Sequence, residues 1–174
     1  MKKILSLFAG ALLCSFVSCN NEQSKGETTT GTKEESSAAK KNLEASHVVT
    51  KAFDTGDPGM IDSVVASDFV DHSEAKDQNR DSLKAMIVAW KADSKDSKTE
   101  VIKELADDDY VFSWLRFTGT SSGTMDMPAG PYNMTAIEVV RFKDGKAVEH
   151  WGFMEPREMM KMMAQQPPAD KKSK

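Results

Sequence analysis

Thiols are nearly absent from this chain. Its 174 residues hold two cysteines, Cys14 and Cys19, and both lie in the first 19 positions. Beyond Cys19 there can be no disulfide, cysteine nucleophile or thiolate metal site. Long apolar runs are missing too, since Ile4 to Leu13 is too short to span a bilayer. Positive charge is in deficit: 23 Lys and Arg stand against 27 Asp and Glu, a net charge of −4. No basic stripe with interleaved aromatics occurs, so nucleic acid is not an expected partner. Histidine is scarce, at three residues. No two have ligand spacing and none shares a helix face with a Glu, so neither a metal nor another cofactor is expected.

What is present begins with a leader. Lys2-Lys3, the apolar run Ile4 to Leu13 and the closing Phe16-Val17-Ser18-Cys19 have the layout of a signal peptide. Val17-Ser18-Cys19 also resembles the lipobox of bacterial lipoproteins, with an aliphatic residue two places before the cysteine and a small one just before it. An ordinary secretory signal that happens to contain cysteine is the competing reading. The resemblance implies removal of residues 1–18 and lipid on the sulfur and amine of Cys19. Buried acyl chains contribute about 0.8 kcal/mol per methylene, so several chains would hold the protein at a membrane. Asn20 is not the Asp that retains some lipoproteins at the inner membrane, so the outer membrane is the expected site in the cell envelope.

Residues 19–41 read as the lipidated cysteine and a disordered tether. Asn20 to Lys41 has no large apolar side chain and cannot bury enough surface to offset the entropy of ordering. Residues 165–174, with Pro167-Pro168, read as a disordered tail. Residues 42–164 remain, enough for one domain with one core.

Within that domain, Ala45, Val48, Val49, Ala52 and Phe53 form an apolar stripe at helical spacing over Leu43 to Asp54. Asp57 caps a short second helix with Pro58 at its first position. Asp68 to His72 is briefly extended, and Arg80 to Ala92 is a third helix with Leu83, Met86, Ile87 and Trp90 on one side. The period then changes. Thr99 to Ala106 alternates, Asp107 to Asp109 turns, Tyr110 to Thr120 is a long strand, and Ser121 to Gly130 is a loop. Two more strands and a helix from Pro156 to Ala164 follow. Segregated helices and strands predict an α+β fold with helices on one face of an antiparallel sheet of four to six strands.

The most informative stretch is AIEVVRFKDGKAVEHW, residues 136–151. Asp144-Gly145 predicts a two-residue hairpin turn, because both positions must tolerate positive φ. Lys143 then faces Lys146, Phe142 faces Ala147, Val140 faces Glu149 and Glu138 faces Trp151. With side chains alternating, Glu138 and Glu149 share an aromatic face with Trp151 and Phe153, while His150 points to the other side. Such a face is a ligand pocket or an interface, and the two faces of the hairpin are both largely apolar.

Phe69-Val70-Asp71-His72, the Gly-Thr-x-x-Gly of Gly119 to Gly123, and the Asp-Gly-Lys-x-x-Glu-His-Trp run of Asp144 to Trp151 resemble the SnoaL-like polyketide cyclases of the nuclear-transport-factor-2-like superfamily. The resemblance implies a strongly curved sheet around a cone-shaped cavity, with helices on the convex side, and a homodimer formed through the exposed sheet face. It also implies acid/base chemistry on a small apolar or aromatic molecule, with Glu138 at the acidic position and Ser121 where a His often assists.

Glu138 is the expected acid/base, because a carboxyl among Phe, Trp and Val has its charged form desolvated. A carboxylate tied to Arg116 or Tyr132 is the structural alternative. Glu149 lies diagonal to it and either divides the acid and base roles or pairs with a Lys at the sheet edge. His72 is the expected assistant; His150 and His47 read as packing and boundary residues. Trp114, Tyr132, Trp151 and Phe153 are expected to line the pocket. The methionines of the last helix, Met159, Met160, Met162 and Met163, read as packing, as a lid or dimer surface, or as a thioether site for Cu(I). The alternative to an enzyme is a ligand-binding or assembly module with no chemistry.

Overall fold

The structure, a computed structural model, describes residues 36–125 and 127–165. The signal peptide, Cys19, most of the tether and the tail after residue 165 lie outside the described residues.

Helix α1 spans Ser37–Thr55, and its start falls inside the expected tether. The reason is local. Ser36 caps it by accepting from the Ala39 amide, and Ala39 and Asn42 are buried. Asn42 Nδ2 donates to the backbone oxygens of Asp107 and Asp108. A 3-10 helix, Pro58–Ser63, follows with Asp57 as its cap. Then come β1 (Val65–Asp71), β2 (Gln78–Asn79), α2 (Arg80–Asp93), β3 (Ser94–Ala106), β4 (Tyr110–Ser121), β5 (Gly130–Lys143), β6 (Lys146–Met154) and α3 (Pro156–Gln165). Among the described residues no helix is long and apolar enough to cross a membrane.

The strands form one curved sheet in the order β2-β1-β6-β5-β4-β3. It is mixed rather than purely antiparallel, because β1 runs parallel to β6. The two long helices cover one face of this sheet. Val49 and Phe53 of α1 and Leu83, Met86 and Trp90 of α2 close over the same sheet face that carries Leu115, Phe117 and Phe142. The opposite face has Phe112, Trp114, Ile137 and Phe153 exposed. The core gathers between helices and sheet around Ala52, Ile61, Val65, Ile87 and Val111.

The turn at Asp144-Gly145 forms as its chemistry dictates, with φ of 52° and 74°. Lys143 faces Lys146 and Phe142 faces Ala147, but then the register slips. Arg141 pairs with Glu149, Val140 with His150, Val139 with Trp151 and Glu138 with Gly152. Val148 is the extra residue of a β-bulge. The neighbouring Ala147 amide is taken by the Val64 carbonyl at 2.8 Å, where β1 joins the sheet. One inserted residue turns every later side chain of β6 to the other face.

The loop after β4 is pinned by a buried carboxylate. Asp93, 1% exposed, accepts from the hydroxyls of Ser121, Ser122 and Thr124 and from the Thr124 amide. These hydrogen bonds outweigh burial and hold its carboxyl far below the usual range. Ser121, expected near the site, belongs to this loop anchor.

Candidate functional site

Alternate residues of β5, Met134, Ala136, Glu138, Val140 and Phe142, form one wall of a hollow of about 450 Å³. Ser113, Leu115 and Phe117 of β4 continue it, and the two long helices close it. Most of the lining is apolar, with Phe53, Phe69, Trp90 and Phe117 supplying aromatic surface.

One end is polar. Asp71 closes β1 opposite His150 of β6, and Glu138 of β5 faces the same hollow. His150 Nε2 donates to Glu138 Oε2 at 2.6 Å, and Nδ1 donates to Asp71 Oδ1 at 2.9 Å. Ser73 Oγ lies 3.2 Å from Nδ1, and the Ser73 amide donates to Asp71 Oδ1. Gly152 leaves the space this chain occupies: a Cβ there would stand 3.1 Å from Ser73 Oγ and 3.2 Å from Glu138 Oε2. Burial opposes charge on the imidazole, but its hydrogen bonds to both carboxylates, and their negative charge, push it up to about 9. Burial likewise disfavours charge on Asp71, yet its bonds from His150 and Ser73 leave it below the usual carboxylate range. Near neutral pH His150 is therefore an imidazolium held between Asp71 and Glu138, and Glu138 lines the hollow.

The bulge redistributes the expected site residues. Glu138 faces the hollow as anticipated, and neither proposed structural tie holds it. Arg116 pairs with Glu100 at 3.1 Å, and the Tyr132 hydroxyl is buried without a partner. Tyr132 backs the hollow from behind, its ring edge-on to Trp90. His150, expected on the far face, is the group that meets Glu138. His72, Glu149 and Trp151 are on the outer face instead. There His72 stacks on Trp151 at 5.0 Å and bonds Asp77 at 2.9 Å. Glu149 pairs with Arg141, whose hydrogen bond lowers the carboxyl's pKa against some desolvation. Trp114 is about half exposed on that face. Phe153 borders the hollow but pairs with Ile137 and is mostly exposed. His47 meets Glu104 at 2.7 Å, away from this cluster. Asp71 and Ser73 went unread because the sequence gives no hint that β1 lies parallel against β6.

A curved mixed sheet with two long helices closing a hollow over one face is a fold of the nuclear-transport-factor-2-like class. The family model for SnoaL-like polyketide cyclases matches residues 44–165, and the chain belongs to that family. Among solved structures, TsrD from Streptomyces laurentii superposes with a TM-score of 0.64 at 18% identity, over 73% of this chain and 97% of that one. Wild-type IdmH from Streptomyces antibioticus gives 0.59 at 24% identity, over 71% and 96%. An LEH-like epoxide hydrolase from M. tuberculosis gives 0.58 at 11%, over 73% and 92%. At these identities the likeness is one of fold. No curated protein sequence matches the chain.

The clamp on His150 has a pH signature. A ring more easily protonated in the folded chain than in the unfolded one stabilises the fold in full below its ordinary value of 6.5, and that contribution disappears as pH rises through about 9. Denaturation of the wild type should show stability falling across that window, and His150→Gln should lack the slope. In an NMR titration the His150 ring should have its midpoint near 9; a midpoint at 6.5 would mean that the carboxylates do not hold it.

Proposed function

We propose that the hollow binds a small apolar or aromatic molecule and that Glu138 moves a proton on it, in chemistry of the cyclase, isomerase or hydrolase type. The observation that carries this reading is the chain Asp71–His150–Glu138 at the polar end of an otherwise apolar hollow. Glu138 Oε1 has no hydrogen bond among the described residues and is open to a ligand. It accepts the proton from one position of the ligand as general base and returns it to another as general acid, while His150, bonded to Oε2, holds the carboxyl in place. Asp71 holds the ring in place. His150 thus takes the assisting role that the sequence suggested for His72. The family name and the presence of an epoxide hydrolase among proteins of this fold are consistent with acid/base work in such a cavity.

A molecule that copurifies with the protein, identified by mass spectrometry, supplies the substrate for the test. Glu138→Gln should lower its turnover by about 100-fold or more, a far larger factor than any loss of affinity. Unchanged turnover would remove Glu138 from the chemistry. Binding without turnover in the wild type would leave a scavenging or binding module.

We further propose that the protein is exported and held at a bacterial membrane, the outer one in preference to the inner, by lipid on Cys19. Support comes from the Val17-Ser18-Cys19 lipobox pattern. Cys19→Ser should release the protein from the membrane fraction into the soluble envelope fraction; continued sedimentation with membranes would refute the anchor.

The exposed outer face is proposed as a homodimer surface. Leu105, Phe112, Val139 and Trp151 lie in register across four strands, and Trp114, Ile137 and Phe153 lie beside them. So large an apolar patch on a folded domain calls for a cover, and self-complementary faces suit two-fold pairing. In sedimentation velocity the wild type should run as two chains and Trp114→Lys as one. A monomeric wild type would rule this surface out as a dimer contact.

A further inference from the structure

The polar atoms of the hollow are biased in one direction, and this bias specifies the ligand. Among the described residues its lining includes no Lys or Arg. The charged side chains there are Asp71, Glu74 and Glu138 against the single ring of His150, so even with that ring protonated the balance is negative.

Three of the five hydroxyls that line the hollow point the same way. A hydroxyl has one hydrogen to donate and two lone pairs to offer. Ser113 donates its hydrogen across the sheet to Glu104 Oε1 at 2.9 Å. Thr99 donates to Asp54 Oδ1 at 3.0 Å. Thr50 donates to the Ser46 carbonyl at 3.3 Å. All three residues line the hollow. What their oxygens still offer a ligand is acceptor capacity alone. Glu138 Oε1 adds an acceptor with a formal charge, and Glu74 adds another at the exposed end.

We propose that the ligand taken by this hollow is a lipophilic amine or other organic cation, with its charged N–H donors at the Glu138 end and its apolar body along Trp90 and Phe117. This rests on the reading of the hollow as a ligand site and sharpens it. The aromatic rings favour a cation through their π faces as well as an apolar body. A carboxylate or phosphate ligand would meet carboxylates with no cationic side chain except a ring already held on both nitrogens, and a neutral acceptor-rich ligand would find few donors. Burying an ammonium among apolar walls is costly unless it is paired and hydrogen-bonded, and Glu138 Oε1 with the hydroxyl oxygen of Ser113, directly opposite Glu138 in the sheet, supplies that pairing.

The test uses three probes of one shape: naphthylmethylamine, naphthylmethanol and naphthoic acid, titrated into the full chain by calorimetry at neutral pH. The amine should bind about tenfold tighter than the alcohol, and the acid about tenfold weaker than the alcohol or not at all. Glu138→Gln should bring amine and alcohol within about threefold of each other. Glu74→Gln, at an exposed position with little influence on folding, should reduce the amine's advantage by a smaller factor. If the alcohol binds as tightly as the amine, the cation preference is wrong and the hollow stands as a site for neutral molecules. If none of the three binds a chain that shows cooperative unfolding, the hollow is not a ligand site and both readings fall together.

Discussion

Both ring nitrogens of His150 meet carboxylates, and each carboxylate comes from a strand other than its own. Asp71 arrives because β1 runs parallel to β6 and ends with Asp71 opposite His150. Glu138 arrives because β5 runs antiparallel on the other side, with Glu138 opposite Gly152. Three strands must be in one register for the chain to close. Breaking a buried pair by removing one partner typically costs about 3 to 5 kcal/mol, because the charge left behind has lost its compensation. The clamp therefore couples the site to the pairing of the sheet's centre. A slip of β6 by one residue would strand Asp71 and Glu138 without their shared cation.

That register is itself set by Val148. Without the bulge, His150 would point outward and Glu149 and Trp151 would enter the hollow. With it, Glu149 turns out to Arg141 and Trp151 turns out to His72. The division of labour between the two faces follows from this single insertion. One face gathers Asp71, His150 and Glu138 beneath the helices, and the other presents a broad apolar surface rimmed by ion pairs. Nothing in the helices has to change for the two outcomes, so the choice of face is made within the β-ribbon.

The physical signals that sequence carries well are those contained within a few residues. Asp144-Gly145 fixed its own turn through backbone sterics, and the stripes of Val49, Ala52 and Phe53 and of Leu83, Ile87 and Trp90 placed two helices with their apolar sides correctly. The 3-10 helix followed from Asp57-Pro58. Glu138 was found because alternation from the turn to β5 is not interrupted. Beyond Ala147 the count fails, because a bulge needs no glycine and Val148 looks like any strand residue. The parallel partner β1 is far away in sequence, so Asp71 could not be matched to His150. The start of α1 at Ser37 was missed for a related reason. Ala38-Ala39 and Asn42 look polar or small in a tether-like stretch, and only the Asp107 and Asp108 carbonyls show why Asn42 is buried.

Two acidic groups in this domain face the same problem and meet it differently. Asp93 is almost wholly buried with no cation beside it. Its charge is tolerated because Ser121, Ser122 and Thr124 give it donors from several directions, and the satisfied carboxylate in turn ties the β4–β5 loop to the end of α2. Such an arrangement is closed: no oxygen is left for anything else to use. Glu138 has one oxygen engaged by His150 and the other open to the hollow. A carboxylate left half satisfied in an apolar setting is a poor device for stability, since its desolvation is only partly offset. It is a good device for attracting a donor from outside. The contrast between the two carboxylates separates the one whose hydrogen bonds are closed within the fold from the one left with an unused acceptor, and it does so on hydrogen bonding alone.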